Sequence, residues 1–212
     1  MPPGSAELVA DRSAVRETNA GAPVNEPRCE PIDFDAATVS AARQGDRTAF
    51  ARLHARYAPM VHGIALARVP HADSQDLVQE AFMLALDRLH LLRDDHAFGP
   101  WLATIARNLA VEFHRRQRLR SHEPLADATA PSATTADTSG GEHALRLLNV
   151  IRSLPEAYAE TLVLRLVEGL TGPQIAACTG MTHGSVRVNL TRGMQILRTR
   201  LLEHGISQED SP

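Results

Sequence analysis

Arginine is the residue through which this chain would do chemistry, since all 22 of its basic side chains are Arg. Two groups are set apart by their spacing. Arg107, Arg115, Arg116 and Arg118 close the stretch FGPWLATIARNLAVEFHRRQR, which begins at Phe98, and Arg187 and Arg192 lie within SVRVNLTRGM. A guanidinium is planar, permanently charged and carries five donors in a fork that fits a phosphate or the edge of a guanine. With Val188 and Thr191, the second pair falls at i, i+1, i+4 and i+5, on one face of a helix. Taken singly, each group also reads as an ordinary solvated helix face. Two of them, on separate helices with apolar backs, point to contact with nucleic acid.

Catalytic chemistry is not indicated. The two cysteines, Cys29 and Cys178, are far apart, and the ten histidines show neither HExxH nor HxxxH spacing. No nucleophile–base pair, metal cluster or phosphate loop has adequate context. The expectation is no metal, no cofactor, no small-molecule substrate and no enzyme. The N-terminus carries early acids without an apolar core, unlike a secretory signal. No apolar run approaches the roughly 20 residues that span a bilayer. These features predict a soluble cytoplasmic protein that is not itself a membrane protein.

A formal net charge of -3 argues at first against a nucleic-acid binder. Its distribution argues the other way. Residues 1–35 carry about −4, residues 107–120 about +4, residues 121–142 about −4 and residues 183–204 about +3. Screening limits the reach of distant charge to about 8–10 Å, so an Arg face can hold phosphates on an acidic protein.

The elements that must position these arginines are helical. Hydrophobic content is 43% but aromatic content only 4%, so the cores are built from Leu, Ala, Val and Ile, a mixture that suits helices better than sheets. Residues 1–34 lack periodicity and read as a mobile extension. SHEPLADATAPSATTADTSGGE, residues 121–142, reads as a flexible linker, and residues 205–212 as a tail. The fold class is therefore all-α, with two small helical domains over 35–120 and 143–204.

In the first block, two helices break near Gly45, and a third starts near Ser74. On that third helix Leu77, Val78, Ala81, Phe82, Ala85, Leu86 and Leu89 recur at helical spacing as a buried face. The arginine-ended helix follows, with Trp101, Ile105, Leu109 and Phe113 at i, i+4, i+8 and i+12. That spacing makes Trp101 a scaffold residue and leaves gripping to the arginines.

In the second block, a helix stops at Leu154–Pro155, and another ends at Gly169. Thr171 and Gln174 then form a capping-box pattern, with Pro173 in the first turn. Gly180 permits a sharp turn and Thr182 caps the next helix, whose inner face is Val186, Leu190, Gly193 and Leu197. This is a helix-turn-helix, and Arg187, Val188, Thr191 and Arg192 face outward, where a recognition helix reads a major groove.

DLVQEAF, FGPWLATIARNLA and SLPEAYAETLVLRLVEGLT…QIA…GMTHGSVRVNL, in that order, resemble bacterial sigma factors of the sigma-70 family, extracytoplasmic-function (ECF) group. The resemblance covers region 2 over about 36–120 and region 4 over 143–204, with no room for a region 3. It implies a subunit that binds core RNA polymerase at the β′ clamp helices and the β flap, reads −35 and −10 elements, and helps melt the start site. Asp76, Gln79, Glu80, Met83 and Asp87, opposite the apolar stripe, would dock on the clamp helices. A loop with Leu92, Arg93, Asp94, Asp95 and His96 would capture a flipped non-template base, with Asn108 nearby. Arg107, Arg115, Arg116 and Arg118 would follow the phosphates.

The resemblance also implies an anti-sigma factor wedged between the domains. The chain departs from the family pattern at Leu92, where members often carry an aromatic, and at Ala103–Thr104, where they often carry Tyr-Arg. It departs again at Asn189 and Met194, where they often carry basic residues, so it has fewer phosphate contacts than usual. A sigma-like decoy that binds only an anti-sigma protein is one alternative. A plain helix-turn-helix regulator is another, although it has no use for the acidic stripe.

Overall fold

In the computed structural model, residues 32–120 and 139–203 are described. The described residues form helices and turns, with no strand among them. The first block holds α1 (Ile32–Arg43), α2 (Arg47–Arg68), α3 (His71–Arg88) and α4 (Phe98–Arg120); two single-turn 3₁₀ segments, Leu89–Leu91 and Asp95–Ala97, lie between α3 and α4. The second block holds α5 (Ser139–Arg152), α6 (Glu156–Leu166), α7 (Gly172–Thr179) and α8 (His183–Glu203).

Local chemistry sets the boundaries. Gly45 takes φ +96°, and Asp46 caps α2 by accepting from the Thr48 and Ala49 backbone N–H groups at 2.8 and 3.1 Å. α3 starts directly after Pro70, earlier than Ser74, because a proline is well placed at a helix entrance. Leu77, Val78, Ala81, Phe82, Ala85 and Leu89 are buried as expected, but Leu86 is not: it is 54% exposed. α5 begins within the span read as linker, and α1 begins within the span read as extension. Residues 1–31, 121–138 and 204–212, which hold the rest of the predicted extension, linker and tail, lie outside the described residues.

The helix-turn-helix follows its sequence pattern. The Thr171 N–H donates to Gln174 Oε1 at 2.7 Å, and the Gln174 N–H donates to Thr171 Oγ1 at 3.4 Å, completing the capping box. Gly180 takes φ +76°, and Thr182 Oγ1 accepts from the Ser185 N–H at 3.1 Å. Val186, Gly193 and Leu197 are buried, as their spacing required.

The two blocks pack against each other. Leu164, Leu170, Ile175, Cys178 and Val186 share one apolar core with Tyr57, Ile64 and Phe98. Leu66 and Ala67 of α2 join the core formed by Leu148, Ile151 and Leu162. The approach is close enough to need glycine: a Cβ on Gly63 would lie 2.6 Å from Leu164 Cδ2, and one on Gly99 would lie 3.0 Å from the Cys178 carbonyl oxygen.

Candidate polymerase and nucleic-acid interface

Helical periodicity alone places the outer face of α8. Arg187, Val188, Thr191 and Arg192 are all exposed, on the side opposite buried Val186, Gly193 and Leu197. Asn189 is half-buried, with its Nδ2 3.4 Å from Thr161 Oγ1 and 3.5 Å from the Ala157 carbonyl. Where relatives are expected to carry a basic group, this chain turns an amide toward α6.

On α3, Asp76, Gln79, Glu80, Met83 and Asp87 are exposed and, with Leu84, line a shallow groove of about 490 Å³. Met83 is 73% exposed, unusual for a large apolar side chain. An apolar centre rimmed by carboxylates suits a partner helix of basic, apolar character, with complementary charge fixing its register.

The loop before α4 is fastened from a distance. Arg43 Nη2 donates to the Leu92 carbonyl at 2.8 Å, and the same guanidinium pairs with Asp95. Leu92 is only 8% exposed, so its side chain belongs to the core and not to the open surface of the loop. Arg93, Asp94 and His96 remain exposed, and Asp94 Oδ1 accepts from the His96 N–H at 3.0 Å. The sequence reading missed Arg43, because nothing local marks a partner in another helix.

Along α4 the arginines are divided by what they face. Asn108, Arg115, Arg116 and Arg118 are exposed. Arg115 grips Glu112 with Nε at 2.7 Å and Nη2 at 2.8 Å, while Arg116 reaches Glu112 at 3.2 Å and Glu80 at 3.6 Å. The Arg115 hydrogen bonds, aided by the charges of Arg115 and Arg116, lower the Glu112 carboxyl to about 2. Trp101 is half-buried, its ring 5.9 Å from that of Phe98, as a scaffold requires.

Arg107 turns to the second block. Its Nε lies 3.2 and 3.3 Å from the two carboxylate oxygens of Glu160, and its Nη2 donates to Oε1 at 2.7 Å. Arg68 Nη2 donates to the other oxygen of Glu160 at 2.8 Å. Burial alone would push the Glu160 carboxyl up, but the hydrogen bonds and charges of Arg107 and Arg68 outweigh it and hold the group below its usual range. Glu160 was also missed in the sequence. A signal for it existed: it sits four residues before Leu164, on the stripe that α6 buries.

Around this contact Arg152 Nε donates to the Leu66 carbonyl at 2.6 Å, and His62 Nδ1 meets Glu168 at 2.7 Å. Among the described residues there is no cluster of potential metal ligands, and no helix is long and apolar enough to cross a membrane.

Comparison with known proteins fits this division. Residues 53–120 match the family model for Sigma-70 region 2, and residues 144–197 that for Sigma-70 region 4. RNA polymerase sigma factor CarQ of Myxococcus xanthus is 32% identical over 163 residues, covering 76% of this chain and 94% of that protein. The ECF RNA polymerase sigma-E factor of Escherichia coli K12 is 31% identical over 181 residues, covering 79% and 94%. The longer probable RNA polymerase sigma factor RfaY of Xanthomonas campestris is 34% identical, and the match spans 42% of its length. Among solved structures, CnrH in complex with the cytosolic domain of CnrY shares the fold, with a TM-score of 0.56 at 22% identity over 84% of this chain and 99% of that one. The chain belongs to the sigma-70 family of RNA polymerase sigma factors, in its ECF group, whose members bind core polymerase and promoter DNA to start transcription.

Proposed function

We propose that this sigma factor docks on core polymerase through the α3 face Asp76, Gln79, Glu80, Met83 and Asp87. Its α8 face, Arg187, Val188, Thr191 and Arg192, reads the −35 element in the major groove. The loop positions Arg93, Asp94 and His96, with Asn108 and the α4 arginines, meet the −10 strand. One observation carries this reading: the carboxylate-rimmed Met83 groove and the arginine face of α8 both lie open to solvent, on different modules. A plain helix-turn-helix regulator has no use for the first. The protein acts in the cytoplasm as an initiation factor without catalytic chemistry of its own. An anti-sigma factor that covers one or both faces is its expected regulator, and CnrH was itself solved with the cytosolic domain of CnrY.

The test is a gel shift of core polymerase and this protein on a promoter library, with Glu80→Arg alongside. A specific complex that Glu80→Arg abolishes supports the reading. Absence of any complex with core would leave a decoy that binds only an anti-sigma protein.

A further inference from the structure

Glu160 is 1% exposed and belongs to region 4, yet both arginines that hold it belong to region 2. A buried carboxylate is costly unless paired and hydrogen-bonded, so its position depends on Arg68 and Arg107. The converse matters more. Arg68, at the end of α2, has a side chain only 10% exposed in the packed form; its guanidinium also pairs with Glu156 of region 4, and the His114 ring of its own module meets its backbone carbonyl at 2.7 Å. Its Nε is buried with no hydrogen-bond partner, so one donor is unused in the packed form. Arg107 offers the side-on fork, with Nε and Nη2, that fits carboxylate and phosphate alike.

We propose that Arg68 and Arg107 form a backbone-phosphate site on region 2, and that Glu160 of region 4 occupies it as a phosphate surrogate until a DNA strand displaces it. The inference rests on the reading that α4 follows the −10 strand, and it adds Arg68, Glu160 and a competition to that reading. A phosphodiester brings two anionic oxygens, as the carboxylate does, and its tetrahedral centre can also take the unused Arg68 donor. One site cannot hold both anions, so strand binding and packing of the two modules oppose each other, and each weakens the other by the same factor.

Because a phosphate contact is blind to sequence, a promoter need not be known to test it. The probe is fluorescein-labelled dT12, followed by anisotropy with the full chain across a salt series. Glu160→Gln is expected to bind about tenfold more tightly than the unaltered protein. In that background, Arg68→Ala and Arg107→Ala should each remove the gain and lower the slope of log K against log salt by about 0.7, the share of one phosphate on a single strand.

Equal binding by Glu160→Gln and the unaltered chain would overturn the proposal. Loss with Arg107→Ala but not Arg68→Ala would overturn the shared site while leaving the strand reading of α4 intact. Loss with neither would remove both. Inorganic phosphate at matched ionic strength is the competing anion, and displacement of dT12 by millimolar phosphate would overturn the assignment to a strand. Should Glu160→Gln fail to fold, Gly63→Leu separates the modules by bulk, because a Cβ there already meets Leu164. With helicity retained, it should show the same gain and the same dependence on Arg68.

Discussion

Arg187 and Arg107 carry the same guanidinium and face different worlds. Arg187 is exposed on the outer side of α8, so Arg187→Ala should weaken promoter binding by about 1–3 kcal/mol and relax specificity at one base pair, read by gel shift on single-base-pair variants of the bound site. An equal loss on every sequence would mean that Arg187 touches only phosphate. Arg115 is different again, because Glu112 holds it at the surface and stays ionised down to about pH 2. Acidification within the physiological range therefore does not release it. Glu112→Gln should leave the thermal midpoint in place, as exposed pairs contribute little, while steepening the salt dependence of single-strand binding. The exposed arginines were legible because helical spacing decides which side of a helix faces water. The direction of Leu92 was not, because Arg43 fixes that loop from 49 residues away.

Caps and turns are where the chain states its helices most plainly. Both arms of the Thr171–Gln174 box are made, so Thr171→Ala should destabilise the helix-turn-helix by about 0.5–2 kcal/mol in thermal unfolding. Gly180→Ala should cost about 1–3 kcal/mol, because a side chain is strained at φ +76°. Its Cβ would in addition come within 3.0 Å of Pro100 in the other module. The four helices of each block, the break at Gly45 and the stop at Pro155 could all be read from local chemistry. Leu86 could not: an apolar residue at helical spacing reads as core whether it meets its own module or is left for a partner.

The packing of one module on the other had a single local signature, a carboxylate at Glu160 on the buried stripe of α6, because Gly63 and Gly99 meet residues remote in sequence. It has a pH dependence of known sign. The folded Glu160 carboxyl lies below its ordinary value of 4.5, so its contribution is complete above that value and is lost as pH falls through the depressed one. In small-angle scattering, the protein should expand below about pH 4.5 before its helicity drops. Glu160→Gln should show no such expansion step.

The same contact sets a limit of length. Elements named −35 and −10 are about 25 base pairs apart, about 85 Å of duplex at 3.4 Å per step. The longest helix among the described residues, α4 with 23 residues, measures about 35 Å, and packed helices sit about 8–10 Å apart. A molecule folded on itself in this way is too short a ruler for a promoter, so it can read both marks only after its halves have parted.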